Sequence, residues 1–282
     1  MSTAQYVVIG NPIAHSKSPD IHAAFALQTG QQIAYTRCLA PIDGFAATVR
    51  ALIHGGCLGA NVTLPFKLEA AALALTLSER AREAGAVNTL SFIGEDIVGD
   101  NTDGAGLVND IVRNARVQIA GKRILLVGAG GAARGALLPL LREHPQEIVI
   151  ANRTAATADA LAAHFGARAE HSQQIRACAF DGLDALARAH DGPFDIVINA
   201  TSASIGGALP PVPAAAFGAG TLALDMMYAR APSVFMEFAA SHGATARDGL
   251  GMLVEQAAEA FSLWRGVRPD GAPVLAHLRE RL

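Results

Sequence analysis

The run Ile124-Leu125-Leu126-Val127, followed without a break by Gly128-Ala129-Gly130-Gly131-Ala132-Ala133-Arg134-Gly135, constrains this chain more than any other stretch. Consecutive apolar residues suit a strand buried on both faces, which occurs where helices cover both sides of a parallel sheet. The GxGxxA turn then leads into a helix. Gly128 permits the tight turn, Gly130 lets a pyrophosphate approach the backbone, and small Ala133 lets the helix pack close to the strand. Amides at the helix start would face the phosphates.

Strand and helix signals repeat from this point: Arg123 to Val127, a helix after Gly131, Glu147 to Ala151, a helix after Thr154, Asp195 to Asn199 and Leu222 to Asp225. This alternation predicts a doubly wound parallel sheet of the Rossmann type. Upstream, Tyr6 to Ile9, Ile33 to Leu39 and Gly59 to Leu64 read as strands, with helices after Ser18-Pro19 and over Phe45 to Ile53. Val87 to Ile93 and Ile97 to Asp100 flank Gly94-Glu95-Asp96 and read as a hairpin. Three helical segments close the chain, near Pro232 to His242, Met252 to Trp264 and Pro273 to Leu282. The expected class is therefore α/β with two domains. The expected boundaries are a first domain over residues 1–103, where a substrate would bind, a dinucleotide domain over 104–237, and helices over 238–282 that return to the first domain.

Composition narrows the partners. A net charge of −3 without blocks of like charge supplies no field for nucleic acid or an anionic membrane. The three cysteines have no metal-type spacing and the nine histidines form no HxxxH pair, so no metal is expected and a reducing compartment is. The start of the chain lacks the basic and apolar regions of an export signal, and no apolar run approaches the roughly 20 residues that span a bilayer. A cytoplasmic protein that takes a small molecule is expected, as a monomer or homodimer.

The end of the strand after the glycine turn decides between dinucleotides. NAD-binding folds place an acid there for the ribose 2′-hydroxyl. This chain has Asn152-Arg153-Thr154, and a guanidinium suits a 2′-phosphate. NADP is the expected cofactor. Thr154 also suits an N-cap for the helix from Ala155, and the two roles are compatible.

Polar groups gather at the ends of the first domain's segments. They are Gly10-Asn11-Pro12-Ile13-Ala14-His15-Ser16-Lys17-Ser18-Pro19, Asn61-Val62-Thr63-Leu64-Pro65-Phe66-Lys67, Asn88, and Asp100-Asn101-Thr102-Asp103-Gly104. Each alone is compatible with turn chemistry. Together with Asn199-Ala200-Thr201-Ser202, Asp225-Met226-Met227-Tyr228 and Asp248 to Ala257, they make the chain resemble the shikimate dehydrogenases over nearly its whole length. Several motifs in one order are far more specific than a single nucleotide loop.

The resemblance implies reversible, NADPH-dependent reduction of 3-dehydroshikimate to shikimate in the pathway to chorismate and the aromatic amino acids. It implies that Ser16, Ser18 and Tyr228 hold the substrate carboxylate, that Asn61, Thr63, Asn88 and Gln256 read its ring hydroxyls, and that Lys67 and Asp103 flank the reacting carbon. On the cofactor side it points to Gly128, Ala129, Gly130, Gly131, Ala132, Asn152, Arg153, Thr154, Thr157, Met226, Gly249 and Glu79. Where relatives commonly carry a second basic residue, this chain has Thr157, so a smaller NADP preference than usual is expected.

Competing readings are simpler. Lys67 suits a surface residue opening the helix from Leu68, while Asp103 and Ser18 suit N-caps. His15 and His22 flank the Ser16-Lys17-Ser18 loop, but nothing places either within reach of a moving proton. Trp264 suits a core position. Two further functions share the motifs: an NAD-using quinate/shikimate dehydrogenase, and a regulator that binds dinucleotide or shikimate without turnover.

Overall fold

The computed structural model describes residues 3–170, 172–189 and 192–282. The chain divides into two compact units, Met1–Gly106 with Leu253–Arg281, and Leu107–Met252.

The first unit is built on a mixed sheet. Its elements are β1 (Ala4–Gly10), α1 (Ser18–Thr29), β2 (Ile33–Leu39), α2 (Phe45–His54), β3 (Cys57–Val62), α3 (Lys67–Leu73), β4 (Thr76–Leu77), α4 (Glu79–Ala84), β5 (Thr89–Ile93) and β6 (Asp96–Asp100). Helix α5 (Asp103–Asn109) follows and contains the boundary with the second unit. The strand order is β2-β1-β3-β5-β6-β4. β1 runs parallel to β2 and β3, whereas β5 runs antiparallel to both β3 and β6. The hairpin turns at Gly94, whose φ of +61° suits a residue without Cβ. Val7, Ile9, Phe45, Val49, Val62, Phe66, Val87 and Leu90 form a core on one sheet face. Burying each large apolar side chain stabilises the unit by about 1.5–3 kcal/mol.

The second unit continues with a π-helical turn at Asp110–Asn114, then β7 (Arg123–Val127), α6 (Gly131–Leu141), β8 (Glu147–Asn152), α7 (Ala155–Gly166), β9 (Gln174–Ala179), α8 (Phe180–Arg188), β10 (Ile196–Asn199), β11 (Leu222–Asp225), α9 (Val234–Ser241) and β12 (Thr245–Arg247). All its strands are parallel, in the order β12-β11-β10-β7-β8-β9. This is the dinucleotide-fold order, with the switch point between β7 and β10. Successive residues of β7 alternate between two cores. Ile124 and Leu126 join one with α6 and α7, and Leu125 and Val127 join the other with α8 and α9. That two-sided burial is why β7 reads as an unbroken apolar run.

The remaining helices are α10 (Leu250–Arg265) and α11 (Gly271–Arg279), and Leu253–Arg281 belongs to the first unit. The segment 238–252, expected to return with them, stays with the second unit because β12 pairs with β11. Phe235 and Ala239 bury α9 in that unit's core rather than against the first domain. Strands β4, β9 and β12 and helices α4 and α8 were not anticipated.

Candidate active site

Strand ends and helix starts of the first unit bring most of the expected polar residues into one hydrogen-bonded network. Lys67 opens α3 just after the Leu64-Pro65 cis peptide bond, and Asp103 opens α5 just after β6. The Lys67 Nζ lies 2.5 Å from Asp103 Oδ2, with the two side chains 29% and 25% exposed. A pair this close and only partly solvated is not the isolated surface lysine that residue type alone favours. Nor is Asp103 a cap outside its helix: it is the first helical residue, and its own amide donates to Asn101 Oδ1.

Asn88, 2% exposed, organises the centre. Its Nδ2 donates to Asp103 Oδ1 at 2.9 Å, Thr102 Oγ1 at 2.9 Å and Gln256 Oε1 at 3.2 Å. Its Oδ1 accepts from the Thr102 amide at 2.8 Å and the Thr89 hydroxyl at 3.0 Å. Both ends of the amide are therefore engaged, and a ligand reaching Asn88 must displace a partner. Asn61 is similarly held, donating to Asn88 O and Thr89 Oγ1 and accepting from Tyr35 OH at 2.7 Å. Gln256 on α10 donates to Leu253 O. Thr63 is half-buried just beyond β3, and its Cγ2 packs so close to Gly10 that a Cβ there would lie 2.5 Å away.

The serine loop departs from the expected capping. Ser18 is the first residue of α1, Lys17 occupies the N-cap position without a side-chain bond, and the Ser16 hydroxyl accepts from the Ser18 amide at 3.3 Å. Arg37 braces the loop by donating from Nε and Nη2 to Ser16 O. His22 is a buried core residue, whereas Trp264 is half-buried at the edge of the aromatic cluster around it and donates to Leu90 O. His15 is exposed.

The remaining candidates fall mostly in the second unit. Gly128 has φ +105°, and a Cβ on it would come within 3.0 Å of Thr201 Cγ2. A Cβ on Gly130 or Gly131 would meet nothing within 4 Å, so the fold itself does not demand glycine there. Open space over bare backbone at the start of α6, beside the sheet's switch point, fits a pyrophosphate. Asn152 ends β8 and donates to Thr154 O. Arg153 is exposed beside it, and Thr154 takes the N-cap position of α7 without a side-chain cap bond. Thr157 is exposed in the first turn of α7. Gly249 is explained by packing, because a Cβ would lie 2.2 Å from Met226 O. Tyr228 is half-buried in this unit, and burial raises its pKa above the usual phenol value. Glu79, placed with the cofactor candidates, opens α4 of the first unit.

Residues 8–90 match the family model described as the shikimate dehydrogenase substrate binding domain. Residues 110–205 match that of shikimate / quinate 5-dehydrogenase, and 249–279 that of the shikimate 5′-dehydrogenase C-terminal domain. A shikimate dehydrogenase (NADP(+)) of Herminiimonas arsenicoxydans is 61% identical over 280 residues, covering 99% of this chain and 98% of that protein. This chain belongs to the shikimate dehydrogenase family. Among solved structures, an Ael1 enzyme from Pseudomonas putida superposes with a TM-score of 0.90 at 45% identity, covering 98% of each chain. A shikimate 5-dehydrogenase from Thermus thermophilus in complex with NADP(H) and shikimate superposes with a TM-score of 0.83 at 29% identity, covering 99% of this chain and 100% of that one.

In this shikimate dehydrogenase family member the network contains residues that the sequence reading passed over. Thr102 touches Asn88 and Gln256, Thr89 touches Asn61 and Asn88, and Tyr35 and Arg37 reach the site from β2. In the second unit, buried Asp225 accepts from Ser204 and Ser233 hydroxyls and the Met227 amide, which fixes the loop that carries Tyr228. A signal existed for Thr102 and Asp225 in the Asn-Thr-Asp and Leu-Asp strand ends. Tyr35 had none, since a tyrosine inside a strand reads as a packing residue.

Proposed function

We propose that this protein reversibly reduces 3-dehydroshikimate to shikimate with NADPH, in the pathway to chorismate and the aromatic amino acids. The observation that carries the reading is the Lys67–Asp103 pair at 2.5 Å, linked through Asn88 to Gln256. Bound NADPH would supply the hydride, and NADP⁺ would accept it in the reverse direction.

The chain's own residues would bind, orient and move the proton. In the reductive direction the Lys67 ammonium donates a hydrogen bond to the ketone oxygen and passes its proton there as the carbon receives hydride. Asp103 holds the ammonium in place through Oδ2, and Asn88 steadies the carboxylate through Oδ1. In the oxidative direction the same groups take up the hydroxyl proton. A positioned acid or base of this kind accounts for about 10²–10⁴-fold in rate. Ser16 and Ser18, with Tyr228, are assigned to the carboxylate, and Asn61, Thr63, Asn88 and Gln256 to the ring hydroxyls. Gly128 to Ala132, Asn152 to Thr154, Thr157, Met226 and Gly249 are assigned to NADP, with Glu79 as a lesser contributor.

Arg153, where an acid would serve NAD, supports NADP, and Thr157 supports a smaller preference than a second basic residue would give. A small-molecule enzyme of the cytoplasm, as a monomer or homodimer, is the matching setting. No helix among the described residues is long and apolar enough to cross a membrane. Initial rates with shikimate and with quinate, each paired with NADP⁺ and NAD⁺, test the proposal. Shikimate with NADP⁺ is expected to give the highest kcat/KM. A higher value for quinate with NAD⁺ would reverse the assignment, and absence of turnover with every pair would leave a binding protein.

A further inference from the structure

The chemistry above makes no use of His22, yet its ring is fully buried against the residues that hold Asn61. His22 stacks on Tyr35 with ring centroids 4.1 Å apart and planes 7° from parallel. Phe25, Phe261 and Trp264 enclose its other sides. Neither ring nitrogen has a hydrogen bond among the described residues. Burial lowers the His22 pKa to about 3, partly offset by the nearby Asn61 side chain, so the ring is neutral under working conditions. It serves as a flat, uncharged wall for Tyr35.

Sheet register explains how Tyr35 reaches Asn61. Tyr35 of β2 pairs with Tyr6 of β1, and Tyr6 pairs with Gly59 of β3. Asn61 lies two residues beyond Gly59 and so shares its face. At Gly59 a side chain would collide with Trp264, its Cβ falling 2.7 Å from the indole Nε1. The tyrosine therefore spans an intervening strand along an aromatic floor, and its hydroxyl meets Asn61 Oδ1 at 2.7 Å.

The contact with Asn88 settles which way the amide faces. Asn88 O can only accept, so the Asn61 group 3.3 Å from it is the nitrogen, and the group facing Tyr35 is the oxygen. Both Nδ2 hydrogens are taken, one by Asn88 O and one by Thr89 Oγ1. Tyr35 occupies one lone pair of Oδ1 and the His22 ring lies beside the same amide, so what Asn61 can still offer a ligand is acceptance and not donation.

We propose that Tyr35 is a positioning residue that holds the Asn61 amide oxygen in place, so that this part of the site, its donors already taken by Asn88 and Thr89, selects a substrate group able to donate, a ring hydroxyl. The inference rests on the proposed function and on the assignment of Asn61 to the substrate. Removing the tyrosine hydroxyl frees the amide oxygen and loosens its orientation, while leaving the stacked ring in place.

The test uses the full chain as Tyr35→Phe, Asn61→Ala and the double variant, with shikimate and NADP⁺ varied in turn and the melting temperature recorded. Tyr35→Phe is expected to raise KM for shikimate about tenfold, the size of one well-placed hydrogen bond, with kcat within about threefold. KM for NADP⁺ should not change. Because Tyr35 acts through Asn61, its effect should vanish in the Asn61→Ala background. An unchanged shikimate KM, or the same increase in both backgrounds, overturns the proposal even where the melting temperature falls. Absence of shikimate turnover by the unmodified protein is a different failure, that of the functional reading itself.

Discussion

Replacing His22 by Phe should make this protein less sensitive to acid. In the native structure the imidazole is fully buried, and burial takes its pKa from 6.5 to about 3. The neighbours packed around it are Tyr35, Phe25, Phe261 and Trp264, and none can carry a compensating negative charge. Burial pushes the Tyr35 phenol well above its usual range, with the Ser18 hydroxyl opposing in part, so it too stays neutral. Between pH 6.5 and about 3 the unfolded chain binds a proton at this position that the folded chain does not. Stability from this group is therefore complete above pH 6.5 and falls as the solution is acidified. The loss is about 1.4 kcal/mol per pH unit within the window, or about 2 kcal/mol between pH 7.5 and pH 5. Phenylalanine preserves an aromatic ring and removes the titration, along with two buried nitrogens that have no hydrogen bond within normal distance among the described residues. Trp264 is the chain's one tryptophan, with its ring centroid 5.6 Å from that of His22, so its fluorescence during urea unfolding reports the unit in question. The difference in unfolding free energy between His22→Phe and the unmodified protein should shift by about 2 kcal/mol in favour of the variant over this range. Parallel pH profiles, within about 0.5 kcal/mol of each other, would show that the buried histidine is not held neutral and refute the reasoning.

Lys67→Ala should lower kcat by at least about 100-fold with a much smaller change in KM for shikimate, measured by steady-state kinetics; a pure KM effect would reassign the lysine to binding. The glycines of the second unit should separate by cause. Gly249→Ala puts a Cβ 2.2 Å from Met226 O and should lower the melting temperature markedly. Gly130→Ala meets nothing within 4 Å, so its melting temperature should hold while KM for NADP⁺ rises about tenfold or more. Arg153→Ala should erode the ratio of kcat/KM for NADP⁺ over NAD⁺, and Thr157→Arg should increase it, both read from initial rates. An unchanged ratio in Arg153→Ala would show that this guanidinium does not discriminate.

The parts legible in the sequence are those fixed by local chemistry. Ile124 to Val127 announced a strand covered on both faces, and the glycines after it announced a turn into a helix. The polar strand ends at Asn61, Asn88 and Asp103 marked, through their positions in the chain, the residues that the structure gathers into one hydrogen-bonded cluster. Strand β9 escaped because Gln174–Ala179 has no apolar run. Its alternation places Ile175 and Ala177 against the core, but Gln174, Arg176 and the small residues around them weaken the pattern. The expectation that residues 238–252 return to the first unit failed because Thr245–Arg247 holds a parallel edge position beside β11, and such pairing leaves no local mark.

Tertiary structure alone decided which of these groups meet. Lys67 and Asp103 are 36 residues apart, and Asn88 and Gln256 are 168 apart. Nothing in either local sequence specifies the other, because the distances follow from strand order, and sequence periodicity is blind to strand order. The same holds for the solvation of individual atoms. A histidine flanking a polar loop and a tyrosine within a strand look ordinary in the chain. Only the packed aromatic cluster makes one a neutral buried ring and sets the other's hydroxyl against the Asn61 amide.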